Sequence, residues 1–271
     1  MPSHGEERYI LEGHEGELQR LADQHDVLTY ASDNKLVFAP VDFSQPGLRI
    51  LDSGCADGLW LRRLQASLGA QHEYIGTDIN PKFFPKQAQP GITLQVQSIT
   101  QDWPEDWTST FDYVHQRSTL IGAGKVSTVE ECIERLVKLV KPGGWIEFFE
   151  SDLNQVRPNG PVMDQLMDVT KTLFDMLGVG YGYTARIRPA LEKAGLIDIQ
   201  EVTIDAVYGA GCDDPEIVGK GMTSMTSAGN AIYKAAKGES DSLKEFTEEL
   251  HEELAARGGR LPCKVVWARK P

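Results

Sequence analysis

The chain has 271 residues, of which 40 are Asp or Glu and 27 are Lys or Arg, so its formal net charge is −13 at pH 7. This length suits one large α/β domain, and the negative charge argues against binding to nucleic acid or to an anionic membrane. The four cysteines lack C-x-x-C spacing, and no apolar run approaches the roughly 20 residues of a membrane span. We therefore expect reduced thiols and a cytoplasmic protein, with a nuclear location as the alternative.

Ahead of the predicted core, residues 6–30 carry apolar side chains at helical spacings, which predicts one or two amphipathic helices. An extended stretch follows at residues 36–41, and Gln45-Pro-Gly47 marks a turn. We expect a single domain over residues 1–271, with residues 1–44 as a helical N-terminal cap.

From Leu48 onward, short apolar strands alternate with amphipathic helices. Regular alternation of this kind predicts an α/β fold with a parallel, doubly wound sheet. In this first half the predicted strands are residues 48–52, 74–78, 92–97, 111–115 and 143–150, and the predicted helices are residues 59–68 and 126–140.

In the second half of the chain, the apolar pattern predicts a further strand at residues 197–207 and a closing strand at residues 264–268. A helix between these two strands permits an antiparallel end to the sheet. The predicted helices of this half are residues 161–177, 185–194, 215–237 and 240–257.

Two inserted segments, residues 155–184 and 208–238, are predicted to form a lid over a small-molecule acceptor, because Met and Tyr make adaptable, amphipathic walls. The alternative, that single methionines are ordinary core or part of a homodimer surface, stays open. The residues predicted to bind the acceptor are Tyr30, Met163, Met167, Tyr181, Tyr183 and Met222.

The stretch from Leu48 to Trp60 has the pattern of a buried strand, a glycine turn and the start of a helix. The strand ends at Asp52, and Gly54 and Gly58 bracket the turn, where the backbone must approach a ligand closely. About 26 residues later a second strand ends at Asp78, where such folds place a ribose-binding acid.

Nicotinamide enzymes, flavoproteins and enzymes that use S-adenosylmethionine (SAM) share a glycine turn at this point. The carboxylates of Asp52 and Asp57 would repel a pyrophosphate by about 1 kcal/mol or more for each close pair of like charges. The same carboxylates would attract an ammonium and a sulfonium group. This difference favours SAM over a dinucleotide.

Six stretches of the chain resemble class I SAM-dependent methyltransferases, and more narrowly the fungal branch that contains secondary-metabolism methyltransferases and a methyltransferase-like regulator. The stretches are residues 35–40, 50–60, 75–81, 102–103, 111–117 and 141–147. The resemblance implies a Rossmann-like, seven-stranded sheet whose last strand is antiparallel. It also implies a SAM cofactor with S-adenosylhomocysteine as the product.

By position, the resemblance implies that Gly54 and its neighbours face the methionyl part of SAM and that Asp78 binds the ribose. Ile79 would pack on the adenine, and Ser98 takes the place where family members usually have an acid. The residues predicted to bind the cofactor are Asp52, Ser53, Gly54, Cys55, Gly58, Asp78, Ile79, Ser98, Ile99 and Gln116.

His115 and Arg117 lie at the end of the fourth strand, where the methyl group should emerge, and we predict them as catalytic. The unperturbed pKa of a histidine suits a general base, although His115 could instead only bond the backbone or the cofactor. Arg117 has two open roles, to orient an acidic acceptor or to pair with a core carboxylate. The sequence shows no metal-ligand spacing, so we expect no metal.

The sequence thus predicts methyl transfer from SAM to O, N or S of a small, largely apolar natural product. Two alternatives stay open. One is a SAM-binding cyclase or pericyclase that uses the sulfonium charge without transferring the methyl group. The other is a methyltransferase-like regulator that acts through protein partners.

Overall fold

The computed structural model describes residues 16–87 and 89–271, and it contains one seven-stranded sheet. The strand order is β3-β2-β1-β4-β5-β7-β6 when the strands are numbered along the chain. The strands are β1 (Arg49–Ser53), β2 (Glu73–Asp78), β3 (Ile92–Val96), β4 (Phe111–Arg117), β5 (Val140–Ser151), β6 (Ile197–Tyr208) and β7 (Gly259–Arg269).

Strands β1 to β5 pair in parallel, whereas β7 runs antiparallel to both of its neighbours, β5 and β6. This confirms the predicted Rossmann-like sheet with an antiparallel last strand. Strand β5 begins at Val140 rather than at residue 143, because a register shift against β4 takes up residues 141–144.

Seven helices flank the sheet in the part of the chain that the structure describes. They are α1 (Glu17–Ala31), α2 (Leu59–Leu68), α3 (Val129–Leu139), α4 (Pro161–Leu177), α5 (Ile187–Lys193), α6 (Pro215–Lys237) and α7 (Asp241–Arg257). The part of the predicted N-terminal helices at residues 6–15 lies outside the described residues.

Local signals explain where several helices begin and end. Helix α3 starts at Val129 rather than at residue 126, because Thr128 caps it and exchanges hydrogen bonds with Glu131. Helix α4 has proline at its first position, and Gly178 ends it with a positive φ of 84°. None of the described helices combines the length and apolar character needed to cross a membrane.

The two faces of the sheet belong to two apolar cores, because side chains alternate along each strand. Leu51 and Val114 belong to the larger core, which includes α3. Ile50 and Tyr113 pack with Trp60 of α2 in the smaller core. Asp52 and His115, two residues further along the same strands, therefore point to the α2 face.

Helix α1 packs against α6 and β6, and ion pairs join it to two helices. Its Asp26 forms ion pairs with Lys220 of α6, at 2.6 Å, and with Arg63 of α2, at 3.5 Å. After α1, the predicted extended stretch at residues 36–41 joins no strand, because its backbone is held by a side chain. Phe38 and Ala39 donate their N–H groups to the buried carboxylate of Glu147, both at 2.8 Å.

A second buried carboxylate, Glu150 at the end of β5, holds the loop after β4. It accepts the backbone N–H groups of Thr119 and Leu120 at 3.0 and 3.1 Å, and the hydroxyl of Tyr183 donates to it at 2.9 Å. Complete burial raises the pKa of Glu150 to about 7. This carboxylate thus links β5, the loop after β4 and the short turn before α5.

Glu150 should make the protein less stable as pH rises from about 4.5 to about 7. The folded protein keeps the Glu150 proton through this window, whereas the unfolded chain has lost it, so folding binds a proton there. The contribution is roughly 3 kcal/mol of unfolding free energy, from the rise of pKa from 4.5 to about 7. In Glu150→Gln this part of the pH dependence should disappear, as measured by urea unfolding between about pH 5 and about pH 8.

Glu131→Gln is the matched control, because hydrogen bonds from Thr128 and Ser127 lower the pKa of Glu131. The stability difference between the wild type and this variant should stay constant above about pH 5. Equal pH slopes for the wild type and Glu150→Gln would contradict the assignment of the slope to Glu150.

Candidate active site

A cavity of about 350 Å³ opens at the carboxyl edge of the parallel strands. Residues of α1 and of the segments that follow β1, β2, β3 and β4 line it. The cavity lies at the switch point of the sheet, since the chain leaves β1 toward β2 on one side while β4 lies on the other. Open α/β sheets bind their ligands at this position.

The glycine turn after β1 forms one wall of the cavity and has no room for larger residues. Gly54 has a φ of +77°, and a Cβ atom there would collide with the side chain of Thr119. The N–H groups of Gly54 and Cys55 both donate to the carbonyl of Thr77, at 2.7 and 2.8 Å. The turn is therefore folded down onto β2, which leaves space above it.

Asp78, at the end of β2, presents a carboxylate with spare acceptor capacity. One oxygen accepts the N–H of Ala56 and the other accepts the N–H of Asn80, both at 2.9 Å. Burial raises the pKa of Asp78, and these two hydrogen bonds oppose the rise. Each carboxylate oxygen has a second lone pair, so the group can accept hydrogen bonds from two neighbouring hydroxyls.

Apolar side chains stand beside Asp78, and they fit the base of a nucleoside. Ile79, Phe83 and Ile99 line the cavity, and so does Ser98 of the loop after β3. The hydroxyl of Ser98 contacts that of Thr100 at 3.0 Å and accepts its N–H at 3.1 Å. A hydroxyl acceptor, an apolar slot and a close-approach glycine together suit the adenosyl part of SAM.

Asp52 and His115 form a buried hydrogen-bonded pair at the floor of the cavity. The carboxylate of Asp52 lies 2.8 Å from Nδ1 of His115, and the two residues are only 3% and 2% exposed. The indole of Trp60 stacks on the imidazole with ring centres 3.9 Å apart and planes 3° apart. Among the described residues, none forms a hydrogen bond with Nε2 of His115.

Arg117 reaches across the cavity to α1, where its guanidinium donates to Nδ1 of His25 at 2.8 Å. Burial and the charge of Arg117 lower the pKa of His25 to about 2, so His25 is neutral and can accept this bond. Within residues 16–87 and 89–271, no carboxylate comes within ion-pair distance of Arg117. The positive charge is therefore available to the cavity.

Asp57 is paired within the protein, which corrects the electrostatic argument made from the sequence. Its carboxylate forms an ion pair with Arg62 at 2.6 Å and caps the N–H of Leu59 at 3.1 Å. Asp52 is likewise bonded to His115. Both carboxylates that favoured a cationic cofactor thus have internal partners that the spacing of the motif did not reveal.

The structure brings most of the predicted cofactor residues to the cavity, but three of them lie outside its lining. Ser53 and Gln116 follow Asp52 and His115 in sequence and therefore point to the opposite face of the sheet, where they are fully buried. Gly58 begins α2. The predicted residues that line the cavity are Asp52, Gly54, Cys55, Asp78, Ile79, Ser98, Ile99, His115 and Arg117.

None of the six predicted acceptor residues lines the cavity. Met163 is fully buried beside Gly259, and Tyr183 is buried because its hydroxyl bonds Glu150. Tyr30 and Tyr181 are exposed to solvent. Of the remaining two, Met167 lies at a separate depression beside α4, and Met222 packs against the larger core.

The sequence reasoning missed the residues that do form the remaining walls. They belong to α1, to the segment after β4 and to the end of α4, and the apolar members are Leu21, Ala22, Ile121, Ala123, Val126 and Leu177. The position of residues 118–126 directly after β4 was the signal that could have identified that segment. The described part of the chain contains no cluster of three His, Cys, Asp or Glu side chains that could hold a metal ion.

Comparison with known proteins gives matches over the whole chain. A methyltransferase-domain family model matches residues 51–146. The chain is 33% identical to the methyltransferase psoC of Aspergillus fumigatus over 265 residues, which cover 95% of this chain and 96% of that protein. It is 32% identical to the N-methyltransferase gliN of the same fungus, over 98% of each chain.

A solved structure of a Haloferax volcanii putative methyltransferase, in complex with the activator Trm112, shares the fold. The TM-score is 0.57 with 16% sequence identity, and the match covers 95% of each chain. Together with the full-length relatives, the glycine turn, the Asp78 carboxylate and the sheet order lead to one conclusion. The chain belongs to the class I SAM-dependent methyltransferases, and it is related to those of fungal secondary metabolism.

Proposed function

We propose that the protein transfers the methyl group of SAM to a nitrogen, oxygen or sulfur atom of a small, largely apolar natural product. The name of gliN, an N-methyltransferase, favours nitrogen. The observation that carries the proposal is one continuous cavity lined by the Asp78 carboxylate, by apolar side chains and by His115.

The cofactor half of the proposal rests on Asp78, Gly54 and the two isoleucines. Asp78 would accept the ribose hydroxyls, and Ile79 and Ile99 would enclose the adenine. Gly54 lines the cavity, so the methionyl part would lie along its backbone. When bound, SAM supplies an electrophilic methyl group on a sulfonium centre.

The acceptor half rests on the apolar side chains that line the cavity from α1 and from the segment after β4, where Lys125 is the charged member. Leu21 and Ala22 face the cavity from α1, while Ile121 and Ala123 face it from the loop. Val126, at 65% exposure, and Leu177 also line the cavity. These side chains favour an acceptor that buries apolar surface and carries few charges.

His115 is proposed as the general base. The acceptor atom would use its own lone pair to bond the methyl group that SAM supplies, and the electrons of the sulfur–carbon bond would stay on sulfur. The proton of the acceptor passes to Nε2 of His115, which has no described hydrogen-bond partner in the protein. Alignment inside the cavity can supply much of the remaining rate, about 7 to 11 kcal/mol in well-oriented systems.

Arg117 is proposed to bind a carboxylate inside the cavity. Its guanidinium is held in place by His25. Because His25 is neutral, it does not cancel the positive charge of Arg117. SAM brings a carboxylate on its methionyl part, and an acidic acceptor would bring another. A planar guanidinium suits either one through paired hydrogen bonds.

The cyclase, the regulator and the homodimer remain predictions. Mass spectrometry of product separates the enzyme reactions, because a cyclase gives an isomer whereas a methyltransferase gives a product heavier by one methylene. A regulator would bind SAM without turning over any small molecule. Isothermal titration in which the wild type binds neither SAM nor S-adenosylhomocysteine would refute the proposal.

Asp78→Ala should weaken S-adenosylhomocysteine binding by about 10- to 100-fold, because hydrogen bonds to a charged group contribute roughly 1.5–3 kcal/mol. Isothermal titration measures this change. Asp168→Ala is the control, since Asp168 is an exposed carboxylate on α4 whose partner is Lys171. It should bind the ligand like the wild type, and equal affinity in both variants would remove Asp78 from the ribose site.

Arg117→Met should weaken S-adenosylhomocysteine binding about 10-fold, an effect typical of one lost charge-assisted hydrogen-bond pair. Binding of 5′-methylthioadenosine should not change, because that compound lacks the amino acid part and its carboxylate. Titration of both ligands separates the two carboxylate sources. Unchanged binding of both would exclude the cofactor carboxylate and leave an acidic acceptor as the partner of Arg117.

A further inference from the structure

Asp52 lies in β1, just before the glycine turn, yet its carboxylate bonds a side chain of the neighbouring strand β4. Asp52 and His115 lie directly opposite each other in the parallel register of β1 and β4. Both side chains point to the same face, and the carboxylate lies 2.8 Å from Nδ1. Because both residues belong to central strands, the pair is held by rigid backbone rather than by a loop.

This contact determines which nitrogen of His115 carries the proton. An ionised carboxylate can only accept hydrogen bonds, so the neutral imidazole must place its proton on Nδ1. Nε2 then keeps its lone pair, and that atom has no partner among the described residues. The arrangement prepares the ring to receive a proton on the cavity side.

Trp60 fixes the plane of the same ring. Its indole is stacked on the imidazole at 3.9 Å, nearly parallel, and its Nε1 donates to the carbonyl of Leu36 at 3.1 Å. The indole is therefore tied to the segment before β1 and cannot turn away freely. Rotation of His115 would have to break this stack as well as the bond to Asp52.

The next strand carries a further carboxylate, Glu147, opposite His115 in the register of β4 and β5. Glu147 accepts the N–H groups of Phe38 and Ala39. It does not compete for the imidazole proton, because Nδ1 is bonded to Asp52. Asp52 thus bonds the histidine, whereas Glu147 bonds the backbone before β1.

We infer that Asp52 is the positioning residue of His115, so that the first acid of the glycine turn serves the general base rather than the cofactor. The inference rests on the proposed function, in which Nε2 takes the proton of the acceptor. As that proton arrives, the ring becomes an imidazolium with protons on both nitrogens. The negative charge of Asp52 stabilises it in place.

Which ring nitrogen of His115 carries a proton can be measured without an acceptor, by long-range proton–nitrogen correlation NMR. The sample is protein labelled with ¹⁵N-histidine and saturated with S-adenosylhomocysteine. The wild type should show His115 with a proton on Nδ1, and the spectrum of His115→Gln identifies the signals. A wild-type spectrum in which only Nε2 carries a proton overturns the inference, whatever any variant does.

Asp52→Asn provides the second arm, because an amide of the same shape can donate to Nδ1 and shift the proton to Nε2. We expect this shift, with the dissociation constant of S-adenosylhomocysteine within about 3-fold of the wild-type value, since Asp52 is not a cofactor ligand in this scheme. A large loss of affinity with an unchanged His115 spectrum would make Asp52 a cofactor ligand and overturn the inference.

Asp57→Asn is the matched control from the same turn. Asp57 pairs with Arg62 and has no contact with the imidazole, so the His115 signals should match those of the wild type. Equal changes in both variants would mean that any neutralised acid in the turn alters His115, which would contradict a specific role of Asp52. Failure of the wild type to bind S-adenosylhomocysteine would refute the proposed function instead, and the spectrum of the free protein would still report the position of the proton.

Discussion

The parallel pairing of β1 with β4 is the constraint on which the site depends. The connections from these two strands leave on opposite sides, so a crevice opens above their carboxyl ends. The same register sets Asp52 beside His115 and Thr77 beside Ser53. A shift by one residue would turn the histidine away from the cavity, because successive side chains point to opposite faces.

Buried acids connect this rigid sheet to the irregular segments that form the walls. Glu147 holds the backbone before β1, and Glu150 holds the loop after β4. Asp78 holds the glycine turn after β1 and the backbone just beyond its own strand. Burying these groups is costly unless their oxygens are hydrogen-bonded. The bonds that meet this cost also fix the shape of the cavity.

Helix α1 contacts three positive groups of the rest of the molecule. Its His25 accepts a hydrogen bond from Arg117, and its Asp26 binds Lys220 and Arg63 at the same time. Helix α1 is therefore joined to β4, to α6 and to α2. In the proposed reaction, this helix supplies part of the acceptor wall and holds the guanidinium that faces the cavity.

The sequence by itself determined the elements and the cofactor class. Strand and helix limits are encoded locally, by apolar periodicity and by stop signals such as Gly178 after α4, so most predicted limits fall within a few residues of those observed. The glycine turn and Asp78 could also be identified from the sequence, because the spacing between them is set by the strand, turn and helix that separate them. The resemblance to methyltransferases rests on these same stretches.

Only the tertiary structure decided which side chains meet. Phe38 and Glu147 are 109 positions apart in sequence, and Arg117 and His25 are 92 apart, so no local pattern reveals either contact. The methionines predicted to face an acceptor lie elsewhere because α4 and α6 pack their apolar faces against the core and against each other. Long-range packing, rather than residue type, therefore determines which residues line the cavity and which residue bonds Asp52.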